Sequence, residues 1–448
     1  MSDILNIGAS GIRAYQSAIS TVSENIANSG VDGYSKRTTN LSEVAASSST
    51  ITRREVNAAS GVVASGVSRA SDPLKEADVR SAGADLARSD SAVQWLDQIQ
   101  TALTGNNLSD RLGSFFTSAT AVAADPSANA PRTTMLSAAD SVAGAFTATG
   151  AALDQVAGAL DATAQNAATT FNDLATALAK TNDAIGRNVP GTNGTAQLLD
   201  QRDQLLEQMS AIADVSVTTD DAGRATVKLG GTAGPTIVSG NSSGSLTYAR
   251  GTDGAVSYAV HFGGAITTAQ ISGGALAGVA DGARRLADAQ NQLDQTAASF
   301  VDGVNTVQAQ GRDLNGNPGA ALFSAGADPS DISLALDDPR GIAAAAPGGG
   351  TRDNSNLATL GALRTSGNFE GAVTDMVSTN AAALASKQTI AQAQGSIHDN
   401  AIAARDSVSG VSIDSEAVDL LRFQQAYSAS SRVIQAARDI FQSILDIR

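Results

Sequence analysis

Both ends of this chain carry a heptad stripe, and that pairing constrains the fold more than any other feature. Near the start, Leu5, Gly8, Ile12, Tyr15, Ile19, Val22 and Ile26 recur at alternating steps of three and four. Near the end, Leu420, Phe423, Tyr427, Ser430, Ile434, Ala437, Phe441 and Ile444 do the same. Residues at that spacing line one side of a helix, and such a seam needs a partner helix. The spacing predicts that the N- and C-terminal helices meet in a coiled coil. Chain termini usually fray, so a chain that commits both to packing is built to assemble. An isolated stripe has nothing to bury against, which predicts that both ends are unfolded in the free monomer.

The interior reads as helix, β insert, helix. Asp72-Pro73 supplies an N-cap and a first-turn proline. Val79, Ala82, Leu86, Ser89, Val93, Leu96, Gln100 and Leu103 then hold heptad spacing. An Ala-rich helical stretch runs from about Arg132 to Ile185, with Gly144, Gly150 and Gly158 arguing against continuity. Ser35 to Arg69 reads as extended chain with short strands. From Asp214 to Ser272 the period changes to two. Val215 and Val217, then Ala225, Val227 and Leu229, flank the hairpin loop Asp220–Gly223, and Val256, Tyr258, Val260 and Phe262 alternate further on. Helix returns near Leu276, where Leu286, Leu293, Phe300 and Val307 fall at steps of seven. It resumes near Gly367, with Ile390, Gln394, Ile397, Ala401, Ala404 and Val408 as a further seam.

The expected fold is therefore mainly α with an inserted β domain. The terminal helices form a coiled coil, the body is an elongated antiparallel helical bundle, and a small β-rich domain is inserted mid-chain. The expected units are 1–34 with 411–448, 35–213 with 273–410, and the insert 214–272. Helices on either side of the insert must pack together, since neither half has enough apolar surface alone.

Composition removes several functions. Aromatic residues make up only 4% of the 448 residues, so cores are expected to rest on Ala, Leu, Val and Ile. A net charge of −15 argues against nucleic-acid binding and against docking on anionic membranes. The absence of cysteine excludes disulfides, thiolate metal sites and cysteine nucleophiles. No apolar run is long enough to span a bilayer. The first residues lack the basic and apolar regions of a Sec signal peptide, so an exported chain would need another route. His261 and His398 are isolated. Asp313–Asn317 lacks the later Gly and Glu of a calcium loop, and Gly230–Gly234 lacks the Lys-Ser/Thr of a phosphate loop. No catalytic residue, metal ligand or cofactor is expected.

Three segments carry a family resemblance. Asn25-Ile26-Ala27-Asn28 followed by Gly33-Tyr34-Ser35-Lys36 resembles the opening signature of flagellar axial proteins, with Gly30-Val31-Asp32 in place of the usual Asn-Thr-Pro. Gly410 to Arg448, with Phe423, Gln424, Gln425, Ala426 and Tyr427 at its centre, resembles the C-terminus shared by hook and hook-associated proteins. Leu198-Leu199-Asp200-Gln201-Arg202-Asp203-Gln204-Leu205-Leu206 is similar to a helix of the hook-associated protein 1 family and is absent from hook protein. In that helix, Arg202 between Asp200 and Asp203 is expected to set register through ion pairs. Larger family members carry a further β domain between the positions of Phe323 and Ile332, where this chain has a short linker.

The resemblance implies a structural subunit of the bacterial flagellum that joins hook to filament as a stacked ring of protomers. It implies partners too: further copies of the chain, hook protein, the second junction protein and an export chaperone on the C-terminal helix. It also implies type III export to the cell exterior. Another axial protein is the nearest alternative. A helical signalling protein is a more distant one, to which the β insert is foreign, and a cell-wall hydrolase would need paired carboxylates that the insert does not offer.

Overall fold

A computed structural model describes residues 2–44, 61–251, 253–328 and 330–446. Helix α1 (Ser2–Ala27) leads into an antiparallel hairpin of β1 (Arg37–Glu43) and β2 (Val62–Arg69). The rest of the expected extended segment, 45–60, lies outside the described residues. Helix α2 (Pro73–Thr104) starts as the sequence predicts, with the Asp72 carboxylate accepting from the Leu74 and Lys75 amides. Then come α3 (Leu108–Ala124), α4 (Asn129–Arg187) and α5 (Asn193–Ile212). Helix α4 runs unbroken through Gly144, Gly150 and Gly158, against expectation. Each glycine costs about 1 kcal/mol relative to alanine. The burial of Phe146, Leu153, Leu160, Phe171 and Leu178 along one side offsets this.

The insert holds two antiparallel sheets. One orders β3 (Val215–Thr219), β4 (Ala225–Leu229), β5 (Thr236–Ser239) and β6 (Ser242–Ser243) as neighbours. The other orders β7 (Ser245–Arg250), β8 (Val256–Phe262) and β9 (Ala265–Ala269). The sequence reading leaves β5 to β7 unassigned, because short strands broken by Gly240 and Gly244 show no long alternation. Two asparagines of α4 act as strand partners for the insert. Asn172 bonds both the N–H and the C=O of Leu246 (2.6 and 3.0 Å), and Asn182 does the same for Ala225 (2.8 Å each).

A third tie is ionic: Asp161 of α4 accepts from Arg250 (2.8 Å) and from the Tyr248 hydroxyl (2.7 Å). The Arg250 hydrogen bonds, against the opposing effect of burial and with help from Tyr248, hold the Asp161 carboxyl below its ordinary value of 3.8. A lowered acid stabilises the folded chain fully above its unfolded value, and that contribution is lost as pH falls through the folded one. We expect the protection of β7 amides, relative to their intrinsic exchange rates, to fall below about pH 4 in the native chain but not in Asp161→Asn, whose protection should already be low. Equal acid sensitivity in both would refute this tie.

Helix α6 (Gly274–Gln310) returns to the body and buries Leu286, Leu293, Phe300 and Val307 as the seven-residue spacing predicts. It meets α2 closely through Gly278 and Gly282. A β-carbon on Gly282 would stand 2.6 Å from Trp95 Cβ, and one on Gly278 2.5 Å from the Arg88 carbonyl. Gly282→Leu should therefore lower stability by about 1–3 kcal/mol in a denaturant titration. An unchanged midpoint would contradict this packing. Six of the ten phenylalanines, Phe115, Phe116, Phe146, Phe300, Phe323 and Phe369, form one buried cluster with centroid spacings of 5.1–6.2 Å. The body is thus not built from small aliphatics alone; most of its phenylalanines are gathered in one place, with Phe171 and Trp95 buried elsewhere.

The short hairpin of β10 (Phe323–Ala325) and β11 (Ile332–Leu334) follows, then α7 (Ser355–Gly367), α8 (Phe369–Ser409) and α9 (Ile413–Leu445). Helix begins a turn cluster earlier than predicted: α7 precedes Gly367, and Asn368 at φ 44° separates it from α8. Helix α7 buries only Asn356, Leu357 and Leu360, too few to leave a stripe in the sequence. The predicted α8 seam is also corrected. Of its six residues, Ile390, Ile397 and Val408 are exposed and Gln394, Ala401 and Ala404 half-buried, and Asn380 of α8 ties the helix to α2 by donating to the Leu96 carbonyl (2.9 Å) and to Gln100 (2.9 Å). The architecture is mainly α with an inserted β region, as the sequence predicts.

The chain ends pair within one molecule. A β-carbon on Gly8 would lie 2.6 Å from Ile434 Cγ1, one on Gly11 would lie 3.2 Å from Ser430 Cβ, and the Tyr15 and Phe423 rings stand 6.4 Å apart. Numbers rise along α1 as they fall along α9, so the two helices are antiparallel. Each stripe is the other's partner, and the premise that a stripe in the free chain has nothing to bury against does not hold here.

Candidate functional site: a buried charge ladder where the chain ends meet the body

The turn that closes α1 is held by one residue. Asn25, fully buried, uses its whole amide. Its Nδ2 donates to the Arg37 carbonyl and to Glu416 Oε2 of α9 (2.8 Å each), and its Oδ1 accepts from the Tyr34 hydroxyl (2.8 Å) and the Arg37 amide (3.0 Å). Asn28 ends the helix by donating to the Glu24 carbonyl (2.8 Å). Gly33 sits at φ 74°, in the left-handed region that favours glycine, against the side chain of Gln204, whose amide donates to the Asp32 carbonyl (2.6 Å). Tyr34 lies under the Arg37 guanidinium, 4.8 Å from ring centroid to Cζ. The bonds made by Asn25, Asn28 and Gly33 explain why this turn needs these residue types.

From Asn25 an alternating ladder of charges runs inward. Arg37 of β1 donates to Asp200 of α5 (3.1 Å). Arg69 of β2 donates to the other oxygen of Asp200 (2.6 Å) and pairs with Asp203 (2.6 Å). Asp203 accepts from Arg202 Nε and Nη2 (2.8 and 2.6 Å), and Arg202 Nη1 donates to the carbonyl of Gly223 in the β3–β4 turn (2.6 Å). Arg37, Asp200, Arg202 and Asp203 are each 7–8% exposed. Lys36 closes the outer end on Glu416 (2.7 Å), and Arg405 of α8 pairs with Glu207 (2.8 Å). A cleft of about 550 Å³ between the turn at 28–35, α5 and the α8–α9 link opens onto Arg69, Glu76 and Asp203.

Charge balance in the ladder is close. Burial, reinforced by Asp203, raises the Glu76 carboxyl above its ordinary value. Burial works against the charge of Arg69, but Asp203, Asp200 and Glu76 together outweigh it and raise its pKa. Arg80 nearby is lowered by burial despite Asp203, Glu76 and Glu207.

The predicted site residues divide into two groups. Val22 is buried, and Leu5, Ile12, Ile19, Ile26, Leu420, Phe423 and Ile434 are half-buried along the paired ends. Tyr427 and Phe441 are exposed on the single chain, as are Gln424 and Gln425. The side chain of Ile444 lies outside the described residues. The covered residues in the first two-thirds of α1 are small, Gly8, Gly11, Ala14 and Ala18, and Thr21, Val22 and Asn25 follow nearer the turn. Leu198 is half-buried and lines α5 beside the ladder.

One expectation changes. Asp200 does not pair with Arg202; it reaches the β1–β2 hairpin, and only Asp203 pairs with Arg202 along the helix. At the start of α9, Ser412 makes no side-chain cap, and Glu416, 1% exposed, is bound to Asn25 and Lys36. Sequence reasoning missed Arg37 and Arg69, because partners 131 or more residues apart leave no periodic signal, and it missed Glu76, whose partner Arg69 lies across the β2–α2 link. Among the described residues, no group of three or more His, Asp or Glu could hold a metal ion, and no helix is long and apolar enough to cross a membrane.

Comparison with known proteins places this arrangement. Residues 93–323 match the flagellar hook-associated protein FlgK helical domain, and residues 405–447 match the flagellar basal body rod FlgEFG protein C-terminal segment. The chain is 27% identical to flagellar hook-associated protein 1 of Salmonella typhimurium over 337 residues, 73% of this chain and 60% of the relative. It thus spans about 60% of that relative's length. It is 23% identical to flagellar hook-associated protein 1 of Escherichia coli K12 over the whole of both chains. The flagellar hook junction protein FlgK of Burkholderia pseudomallei superposes with a TM-score of 0.50 at 25% identity, covering 56% of this chain and 47% of that one. With the helical-domain match spanning more than half of the residues, the chain belongs to the flagellar hook-associated protein FlgK family.

Proposed function

We propose that this chain is a structural subunit of the hook–filament junction, outside the cell, assembled as a stacked ring of protomers. One observation carries the reading: a hook-associated helical domain and an axial C-terminal segment occur in one chain whose two ends pair. The paired ends, 1–34 with 411–448, form the part that enters the axial tube. The body, 35–213 with 273–410, carries the load, and the insert 214–272 projects from it. The stripe positions left exposed, Tyr427 and Phe441 among them, suit contact with further copies. Hook protein on one side and the second junction protein on the other complete the stack. Export runs through the flagellar type III channel, with a chaperone on the C-terminal helix, and the role involves no catalytic step. Deleting the gene in its own bacterium should leave hooks without filaments, with filaments restored by the full chain in trans. A deletion strain that still grows filaments on its hooks overturns the proposal.

A further inference from the structure

We propose that the buried ladder couples the paired chain ends to the β insert, and that Arg202 is the positioning residue that ties the insert in. The path is continuous. Glu416 of α9 holds Asn25, which holds the backbone of Arg37; Arg37 meets Asp200, Arg69 bridges Asp200 and Asp203, and Asp203 orients Arg202. Arg202 spends its fork in two directions, two nitrogens on Asp203 Oδ1 and the third on the Gly223 carbonyl. A planar guanidinium fixed on one side is fixed on the other. The β3–β4 turn is clamped at that point. A β-carbon on Gly223, at φ 85°, would stand 2.9 Å from Leu199 of α5, and a β-carbon on Gly186 at the end of α4 would lie 3.4 Å from Arg224.

Each rung is neutralised by the next among largely buried side chains, so losing one leaves its neighbour to find a new partner. A displaced hairpin carries Arg37 and Arg69 with it, Asp200 and Asp203 lose the cations that brace them, and Asp203, free to turn, takes Arg202 with it. Helix α5, whose Leu198–Leu206 segment carries part of the family resemblance, is thus where the ends, the body and the insert are joined through three neighbouring side chains. In an axial subunit this makes the attitude of the insert follow the attitude of the chain ends. Only that purpose rests on the proposed function, since the coupling itself is read in the free monomer and stands or falls there.

The test is hydrogen exchange on the intact monomer. Arg37→Lys keeps the charge and loses the fork; Asp200→Asn keeps the shape and loses the charge. Each should accelerate exchange of β3–β4 amides about fivefold or more, although neither residue touches the insert. In an Arg202→Met background β3–β4 should already exchange fast, and Arg37→Lys should then loosen β1–β2 with no added effect on β3–β4. Three results overturn the coupling: β3–β4 at the native rate in both single variants, the same increment in the Arg202→Met background, or uniform acceleration that includes the α6 core. Arg37→Lys is the milder change and reports even where Asp200→Asn folds poorly.

Discussion

Asp200→Ala should lower the stability of the chain by about 3–5 kcal/mol, the largest effect expected of any single side chain in the ladder. Asp200 is 7% exposed and serves two guanidinium groups at once, Arg37 at 3.1 Å and Arg69 at 2.6 Å. Alanine removes the anion and leaves both largely buried cations short of a partner. Arg69 retains Asp203, but Arg37 is left with Glu24 at 3.7 Å. Glu76→Gln is the matched contrast. Burial already disfavours the charge on Glu76, and its contact with Arg69 is long, 3.6 Å. That change should stay within about 1 kcal/mol. Urea unfolding of the two variants decides: similar midpoints for both would mean that the ladder is not organised around Asp200.

Removing residues 420–448 should abolish incorporation into the flagellum while the body stays folded. The deletion takes away the segment that carries Phe423, Ser430 and Ile434, against which Tyr15, Gly11 and Gly8 pack. It leaves Glu416 with Asn25 and Lys36, and it spares the six-phenylalanine cluster. Near-ultraviolet circular dichroism around Trp95 should be retained, and the truncated chain should be missing from purified hook–filament junctions. Normal incorporation of the truncated chain would sink the account of the paired ends.

Much of this was legible from residue order, and the limits have physical causes. The stripes, the steps of seven in α6 and the alternation of β4 are periodic, and periodicity reports which face is covered. It does not report what covers it. The sequence therefore pairs the terminal stripes correctly but shows neither that the closest contacts fall on Gly8 and Gly11 nor that Ile390 and Ile397 of α8 face solvent. Residue order alone also gives no sign that six scattered phenylalanines converge. The Leu198–Leu206 segment was visible as a motif, yet its meaning was not: Asp200 acts through arginines of a hairpin that precedes α5 by more than a hundred residues. Contacts of that range become readable only once the fold brings α2, α5 and the hairpin together.

The central claim is that α1 and α9 of one chain lie antiparallel against each other and together form the assembling end. The chain has no cysteine, so an engineered pair reports without background. Gly11→Cys with Ser430→Cys is the natural choice, because a β-carbon on Gly11 would lie 3.2 Å from Ser430 Cβ, so a small outward shift reaches the separation of about 3.5–4.5 Å that a disulfide spans. Mild oxidation of the dilute monomer should give a rapid intramolecular cross-link that survives in chains recovered from junctions. Disulfide-linked dimers without the internal cross-link, or no cross-link at all, would contradict the pairing.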